Sequence, residues 1–186
     1  MPYHPRMRID TVNAEQLGDL RSALHELYRL CFADPPWNES RTRLDNFANI
    51  LTKHLAQPDL SASVAWDGRA LHGVAYGWPM PPELPEDAFH MMVTQAVPAE
   101  RLVAPALTVT ELMVHPASRG QGLGRRLLDH YVGQHEAWLV THPAAPACSL
   151  YDSMGWTRSD EFRNPYGDRR VVYLRAGQEQ PPADTQ

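Results

Sequence analysis

Cysteine, surplus positive charge and long apolar segments are all scarce in this sequence. Its 186 residues include two cysteines, Cys31 and Cys148, which are too few for a disulfide framework. Asp and Glu outnumber Lys and Arg by 22 to 17, whereas a nucleic acid or an anionic membrane requires clustered positive charge. No apolar run approaches the roughly 18–20 residues of a membrane helix, and the N-terminal segment lacks the apolar stretch of a secretory signal. We therefore expect a cytoplasmic protein with no membrane or nucleic-acid partner.

Proline is the residue in excess, at 17 of 186 positions against a usual share of about 5%. Most prolines fall in five clusters, at residues 35–36, 79–85, 98–105, 143–146 and 181–182. Segments with clear periodicity lie between the clusters, so the prolines mark connections and do not indicate a disordered chain. The length suits a single domain, which we expect over residues 6–176, followed by a disordered polar tail over residues 177–186.

Helical and strand periodicities alternate along the chain. Asn13 and Gln16 form a capping-box pair ahead of an apolar stripe at helical spacing, and Asp67-Gly68 predicts a hairpin turn. Strands are predicted at 7–12, 63–66, 70–78, 107–114, 138–141, around Phe162 and at 171–175, and helices at 17–31, 39–56, 88–97, 122–136 and 146–154. This order predicts a mixed α+β fold in which helices cover one central sheet.

A glycine-rich turn, RGQGLGRR over residues 119–126, joins a buried strand to a helix. Glycines leave backbone N–H groups accessible at the positive end of the helix dipole, which is typical of a phosphate site. A dinucleotide-binding fingerprint would need glycine in place of Arg125, and a P-loop would need a lysine after the glycines, so both are excluded. The pattern Arg/Gln-x-x-Gly-x-Gly/Ala is met by Arg119, Gly122 and Gly124.

Three segments together resemble the GNAT superfamily of acyl-CoA-dependent N-acyltransferases. They are the strand end ELMVHP (111–116), the turn and helix start (119–128), and the segment SLYDSMGW (149–156), which has Trp156 where the family has Phe. The resemblance covers most of the chain, from about residue 6 to residue 175. It implies the GNAT fold: a central, mostly antiparallel, twisted sheet of six or seven strands, splayed in the middle and flanked by about four helices.

By this resemblance acetyl-CoA is the co-substrate, with its pyrophosphate on the glycine-rich turn. The strand would pair through its backbone with the pantetheine arm, and the N–H near Val114 would face the thioester carbonyl. Many members carry an asparagine where this chain has Ala144, so Thr141, Ser149 or water would have to supply that polar contact. The residues expected at coenzyme A are Leu112, Met113, Val114, Arg119, Gly120, Gln121, Gly122, Leu123, Gly124, Arg125, Thr141 and Ser149.

Two residues are candidates for proton transfer by the same resemblance. Tyr151 matches the usual general acid of the family, and a phenol with a pKa of about 10 suits a leaving thiolate whose thiol has a pKa of about 8.5. Glu111 stands where members often carry the base that removes the amine proton. Independently, a carboxylate inside the apolar stretch LTVTELMV is costly unless it is used or paired. The alternatives are packing for Tyr151, and for Glu111 either a salt bridge or a place at the splayed edge of the strand.

The acceptor end is expected between the first two helices and beside the splayed strands. Trp37, Glu39, Tyr76 and Trp78 are the candidates there, because aromatic rings beside carboxylates suit a cationic amine. The sequence has neither the spacing of a zincin site nor a serine nucleophile elbow, and we expect no metal. The proline-rich connections at 35–36 and 79–105 are expected to stiffen the loops around this end.

The sequence is thus interpreted as an acyltransferase enzyme: an acetyl-CoA-dependent N-acetyltransferase that acetylates a primary amine of a small molecule by direct attack in a ternary complex. Two alternatives stay open. One is acetylation of a protein N-terminus or lysine, and the other is a regulatory module that binds acyl-CoA without turnover. A homodimer is expected only by analogy with the family.

Overall fold

The computed structural model describes residues 7–178. Most of the predicted tail (179–186) and the predicted first residue of the domain, residue 6, lie outside the described residues, so the domain bounds stay predictions.

Six strands of four residues or more and three two-residue strands occur in the described part of the chain. They are β1 (Arg8–Asn13), β2 (Ser61–Trp66), β3 (Leu71–Gly77), β4 (Leu107–Thr108), β5 (Glu111–Val114), β6 (Ala137–Thr141), β7 (Thr157–Arg158), β8 (Phe162–Arg163) and β9 (Arg169–Arg175).

The helices of residues 7–178 include four of seven residues or more, as the resemblance implies, and three shorter ones. They are α1 (Ala14–Gly18), α2 (Arg21–Phe32), α3 (Arg41–Asp45), α4 (Phe47–Leu55), α5 (Ala88–Val93), α6 (Leu123–Val132) and α7 (Ala147–Ser153), with 3-10 turns at Ala99–Arg101 and Pro116–Ser118.

Two helices that were predicted as continuous are each broken once. The stripe over 17–31 belongs to α1 and α2, because Gly18 and Asp19 have low helix propensity and the chain leaves the helical conformation after them. The predicted helix over 39–56 is α3 and α4, which meet at Asn46. The Asn46 side chain accepts a hydrogen bond from Asn49, and such local bonding competes with the helical ladder. The capping box of Asn13 with Gln16 is confirmed.

The strands form two sheets that part from each other in the middle. One has the order β1-β2-β3-β5 and is antiparallel throughout. The other has the order β4-β6-β9-β7, with β8 also on β9, and its β4–β6 pair is parallel. The predicted mixed α+β class, with a mostly antiparallel and splayed sheet, is confirmed.

The segment 107–114, predicted as one strand, is divided between the two sheets. Its first part, β4, pairs with β6, whereas its second part, β5, pairs with β3. The Val109 N–H still donates to the Trp138 carbonyl oxygen at 2.8 Å, and the next N–H, of Thr110, donates to β3. The sequence pattern could not indicate this division, because both halves are equally apolar and the difference lies in their partners.

A β-bulge accompanies the division. Pro79 lies opposite Leu107, and Tyr76 lies opposite Glu111. Three steps along one strand therefore correspond to four along the other, so the segment before Glu111 contains one extra residue. Such a residue bends the strand and redirects the side chains that follow it.

Apolar clusters cover both faces of the first sheet. Val74 and Met113 face a cluster that includes Leu24 and Phe47, from α2 and α4. The opposite face packs against α6 and α7 in a cluster that includes Ala65, Ala75, Leu127, Leu128 and Tyr151. A third cluster lies under α5 and the proline-rich segment before β4, around Val93, Leu102 and Trp138. The site therefore rests on strands that are held from both sides.

None of the helices within residues 7–178 is long and apolar enough to cross a membrane. The longest, α2, has 12 residues, whereas a spanning helix needs about 20.

Gly77 offers a test of the close approach between β3 and the segment 107–114. A Cβ at this position would overlap the Thr108 carbonyl oxygen and come within 2.7 Å of the Tyr131 hydroxyl, which is bonded to that same oxygen. We expect Gly77→Ala to lower the free energy of unfolding by about 1–3 kcal/mol or more, the usual cost of overpacking, measured by urea denaturation.

Gly18→Ala is the matched control, because its Cβ would meet only the Leu55 side chain at an ordinary 3.5 Å. We expect that variant to be as stable as the original chain or slightly more so, since alanine favours a helix. Equal stability of the two variants would contradict the packing described here.

Candidate active site

A cavity of about 520 Å³ opens where β5 and β6 part. The His115 N–H donates to β3, and N–H groups alternate sides along a strand, so the N–H groups of Leu112 and Val114 point away from β3 and into the gap. The Val114 carbonyl, which bonds Arg119 and not β3, agrees with this direction. The other wall of the gap is β6. The Trp138 carbonyl points toward β4, and peptide groups alternate sides along a strand, so the N–H and carbonyl of Val140 point to the same side, where β4 has already ended. The gap is thus bordered by backbone groups that are open to an extended ligand.

The glycine-rich turn forms one end of this cavity. Gly120 and Gly122 have φ angles of 72° and 74°, in the left-handed region where glycine is favoured. Helix α6 follows at once, and its first helical bond runs from the Arg126 N–H to the Gly122 carbonyl oxygen at 3.1 Å. The N–H groups just before Arg126 therefore have no helical acceptor and lie at the positive end of the helix dipole. This arrangement suits a phosphate or pyrophosphate group.

A chain of side-chain hydrogen bonds ties the segment before the turn to the β2–β3 hairpin. Ser118 lines the cavity, and its Oγ lies 2.9 Å from His72 Nδ1. His72 Nε2 lies 2.8 Å from Asp67 Oδ2, and the other oxygen of Asp67 accepts the N–H groups of Arg69 and Ala70. These bonds hold the pKa of Asp67 well below its usual range. The turn thereby gains a fixed anchor on the neighbouring strands.

The two arginines expected at the pyrophosphate are both engaged within the protein. Arg119 donates from Nε to the Val114 carbonyl oxygen at 3.1 Å and reaches Cys31 Sγ at 3.6 Å. Arg125 donates to Ser153 Oγ at 2.6 Å. Both line the cavity, so each brings positive charge to the same end as the turn.

Glu111 lies inside the cavity at the point where the strands separate. Burial, with a smaller contribution from the nearby negative charge of Glu39, raises the pKa of Glu111 to about 8. A carboxyl group with such a pKa is partly ionised near neutral pH and can accept a proton from a bound reactant. The arrangement suits a general base, while the salt-bridge alternative finds no cation bonded to Glu111 among residues 7–178.

Tyr151 faces the same cavity from α7. Its ring is buried at 4% exposure and packs 5.0 Å from the ring of Tyr173 and 5.8 Å from that of Trp156. Within the described residues its hydroxyl has no hydrogen-bond partner, although Tyr173 donates to Asp152. Burial, followed by nearby Cys148 and Glu111, raises the pKa of Tyr151 above its ordinary value, so the phenol keeps its proton. It is placed to donate that proton into the cavity.

The other end of the cavity combines negative charge with aromatic rings. Glu39 follows the Pro35-Pro36 pair and has a side chain only 8% exposed, and Tyr28 donates to Glu39 Oε2 at 2.8 Å. Trp37 lines this end, with Phe32 at 5.2 Å between ring centroids. Tyr28 and Cys31 also line the cavity, although neither is among the predicted site residues: both lie in the apolar stripe of the predicted helix over 17–31. A hydroxyl and a thiol on one helical face were the available signals.

The structure brings most of the predicted residues to the cavity but not all of them. The lining contains Leu112, Val114, Arg119, Gly120, Gly122, Leu123, Gly124, Arg125, Thr141, Tyr151, Glu111, Trp37 and Glu39. Met113 faces the cluster under α2 and α4, because its side chain alternates with those of its neighbours. Gln121 and Ser149 are exposed outside the cavity.

Tyr76 and Trp78, predicted as walls of the acceptor end, lie elsewhere. Tyr76 is fully buried beneath α4, with its hydroxyl 2.8 Å from His54 Nδ1. Trp78 packs against the same histidine, at 5.5 Å between ring centroids. Both side chains project from β3 and its continuation toward the helices, away from the gap between the sheets.

Among residues 7–178, no three His, Cys, Asp or Glu side chains gather in a way that could hold a metal ion.

The comparisons with known proteins agree with this geometry. Residues 88–158, which carry β4 to α7 and therefore the turn, Glu111 and Tyr151, match the family model of the acetyltransferase (GNAT) domain. No curated protein sequence matches the chain.

Solved acetyltransferase structures share the fold at low sequence identity. An aminoglycoside 6′-N-acetyltransferase complexed with coenzyme A is 14% identical, with a TM-score of 0.62 over 94% of this chain and 99% of its own. The ribosomal-protein-S18-alanine N-acetyltransferase of Escherichia coli is 16% identical, with a TM-score of 0.58 over 96% and 98%. An acetyltransferase of Thermus thermophilus is 17% identical, with a TM-score of 0.59 over 91% and 97%.

The raised pKa of Glu111 predicts how stability depends on pH. A carboxyl group with a pKa of about 8 when folded and an ordinary value of 4.5 when unfolded favours the folded state fully below pH 4.5. That contribution is lost as the pH rises toward 8, and it changes no further above 8. We therefore expect Glu111→Gln to gain stability relative to the original chain across this window, by at most about 1.4 kcal/mol per pH unit.

Urea denaturation at a series of pH values measures this difference. Glu86→Gln, at an exposed position, is the control: its free energy of unfolding should differ from that of the original chain by the same amount at every pH. If the Glu111→Gln curve also ran parallel to that of the original chain, Glu111 would not have the environment described.

Proposed function

We propose that this chain, whose residues 88–158 match the GNAT acetyltransferase domain, is a GNAT acetyltransferase that transfers an acetyl group from acetyl-CoA to a primary amine of a small molecule, by direct attack in a ternary complex. The observation that carries the proposal is the cavity between β5 and β6. It joins an anion-binding turn, open backbone groups, a raised-pKa carboxyl and a buried phenol.

The residues present fit acetyl-CoA, which supplies an activated acetyl thioester. The turn at Gly120–Arg125 would hold the pyrophosphate through backbone N–H groups, with Arg119 adding positive charge. The Leu112 carbonyl and the peptide groups of Val140, which are open to the gap, would take the pantetheine arm between the two sheets. The related fold that was solved with coenzyme A supports this assignment.

Three groups of this chain would carry the chemistry. Glu111 accepts the proton of the acceptor amine, directly or through water, so that nitrogen forms a bond to the acetyl carbon. The N–H groups of Leu112 and Val114 donate toward the acetyl oxygen, where negative charge develops. Tyr151 donates its proton to the sulfur that leaves as thiolate. Much of the acceleration would come from holding the two reactants side by side.

The acceptor end supports a small cationic amine over a polypeptide. The Glu39 side chain is almost fully buried where it lines the cavity, and Trp37 adds an aromatic face there. A protonated amine would meet the Glu39 carboxylate before it passes its proton to Glu111. The solved relatives do not decide the acceptor, because one acts on aminoglycosides and another on a ribosomal protein. Cytoplasmic location and a homodimer stay predictions.

Thiol release from acetyl-CoA, followed over a panel of amines, tests the proposal. The panel contains spermidine, kanamycin, the common amino acids with their decarboxylated amines, and a peptide with a free N-terminus. We expect turnover with at least one small amine and none with the peptide. Binding of acetyl-CoA by calorimetry without turnover of any amine would favour the regulatory module, and turnover of the peptide alone would favour protein acetylation.

Tyr151→Phe removes the proposed proton donor and keeps the ring. We expect kcat to fall by roughly 10²- to 10⁴-fold, the usual range for a general acid, while the affinity for acetyl-CoA measured by calorimetry changes little. Tyr173→Phe is the matched control, since this second buried tyrosine bonds Asp152 and does not line the cavity. Unchanged turnover of Tyr151→Phe would remove the residue from the mechanism.

The pKa of Glu111 also predicts the pH profile of the reaction. A general base acts in its deprotonated form, so kcat/KM should rise about tenfold per pH unit below 8 and level off above it. Glu111→Gln should lose this limb and most of the activity. The acceptor amine titrates too, so the pH profile is measured with two amines of different pKa. The rise of kcat/KM that is due to Glu111 should then occur at the same pH with both amines. A rise whose pH follows the pKa of the amine would contradict the role of Glu111 as the base.

A further inference from the structure

A second charged group stands beside the acceptor end of the cavity, and its sign is opposite to that of Glu39. The guanidinium of Arg170, on β9, lies over the indole of Trp37, with 5.3 Å from Cζ to the ring centroid. Trp37 itself lines the cavity. The Arg170 side chain is only 12% exposed, so its charge is held close to the protein interior.

Arg170 is poorly satisfied for a guanidinium at that depth. It has five N–H donors, and in the described residues only two acceptors receive them. One is the Arg169 carbonyl oxygen at 2.8 Å, and the other is Asp168 Oδ2 at 3.5 Å, a long bond. Burial accordingly lowers the pKa of Arg170. No nitrogen of Arg170 in the described chain is both fully enclosed and without a partner, so its three open donors are accessible, and beside a substrate cavity they favour an anionic ligand.

Asp168 cannot neutralise this region on its own. The same Oδ2 atom accepts from Asn164 at 2.9 Å and lies 3.6 Å from Arg43 as well as 3.5 Å from Arg170. Its side chain is 42% exposed, and solvent weakens both ion pairs. Arg43 in turn is 3.8 Å from Glu39. Arg170 and Arg43 therefore share the exposed Asp168 carboxylate, and among residues 7–178 only Arg43 has a second carboxylate, Glu39, within 4 Å.

The acceptor end is thus dipolar. Glu39 and Glu111 line the cavity and form its negative and proton-accepting side. Arg170 and Arg43 do not line the cavity themselves but contact the lining residues Trp37 and Glu39, and they form the positive side. A polycation would meet like charge at Arg170, which disfavours it. A molecule with both an ammonium and a carboxylate would match both sides, and a guanidinium binds a carboxylate by two parallel hydrogen bonds.

We propose that the acyl acceptor is an amino acid or a similar small amine bearing a carboxylate, and that Arg170 binds that carboxylate beside Trp37. This inference rests on the proposed function and narrows its substrate class. Arg170 is a specificity residue in this proposal: it holds the acceptor and takes no part in proton transfer.

The experiment compares matched acceptors that differ only in the carboxylate. The pairs are L-tyrosine with tyramine, L-tryptophan with tryptamine, L-lysine with cadaverine, and 4-aminobutyrate with propylamine, followed by thiol release from acetyl-CoA. We expect at least one pair in which kcat/KM of the carboxylate member is tenfold or more higher. In that pair, Arg170→Gln should raise KM for the carboxylate member at least tenfold and leave the kinetics of its partner amine in place.

Arg169→Gln is the matched control, because it removes the same charge one residue away from an exposed side chain that is paired with Glu161 at 2.8 Å. Both acceptors should keep their kinetics in it. Arg170→Lys keeps the charge but loses the fork of donors, so it should retain part of the preference. Thermal unfolding and acetyl-CoA binding show whether Arg170→Gln folds. If it does not, the same kinetic comparison is made with Arg170→Lys.

Three outcomes would overturn the inference. The original enzyme could use the decarboxylated amines as well as or better than their partners. Arg170→Gln could lower the activity on both members of a pair equally, which indicates a structural role. Finally, no amine of either kind could be turned over although acetyl-CoA binds, and this last result alone would also reject the proposed function.

Discussion

The site depends on one separation of strands: the chain is hydrogen-bonded to β6 as far as Val109, whereas β5, which follows, is hydrogen-bonded to β3. Backbone groups inside a protein must find partners, so a gap between two strands is stable only where solvent or a ligand reaches it. Apolar clusters pack on both faces of the first sheet, and the glycine-rich turn follows the end of β5 within a few residues. An anion site, an extended backbone edge and the reacting groups therefore come from one short stretch of chain.

Burial sets the chemical character of the two proton-transfer candidates that line the cavity. Desolvation disfavours the charged form of any acid, so the same environment keeps Tyr151 protonated and brings the pKa of Glu111 to about 8. One thus remains a donor and the other becomes an acceptor near neutral pH. Desolvation is the largest cause of both shifts, so the difference in role arises mainly from the ordinary pKa values of the two groups, and both roles fit into a single cavity.

The sequence contains the local part of this arrangement. The turn over 119–126 follows from glycine spacing, and Glu111 stands out as a charge within an apolar strand, so both could be predicted. What depends on long-range pairing could not. The segment 107–114 looks uniform although its halves have different partners, and Tyr76 was expected at the cavity although it faces the helices. Tyr28 lies in an apolar stripe at helical spacing, and such periodicity predicts that a helix face is buried but not whether it packs on a core or lines a cavity.

The β-bulge before Glu111 determines which face of the sheet each side chain of β5 occupies. Side chains alternate with a period of two, so removing the extra residue would exchange the faces of β5: the carboxyl would turn from one side of the sheet to the other, and Met113 would leave its cluster for the opposite face. Insertions and deletions of one residue between Pro105 and Glu111 would therefore abolish the site and the core together. A substitution there alters the contacts of one side chain, whereas a change in length moves every side chain of the strand to the opposite face of the sheet.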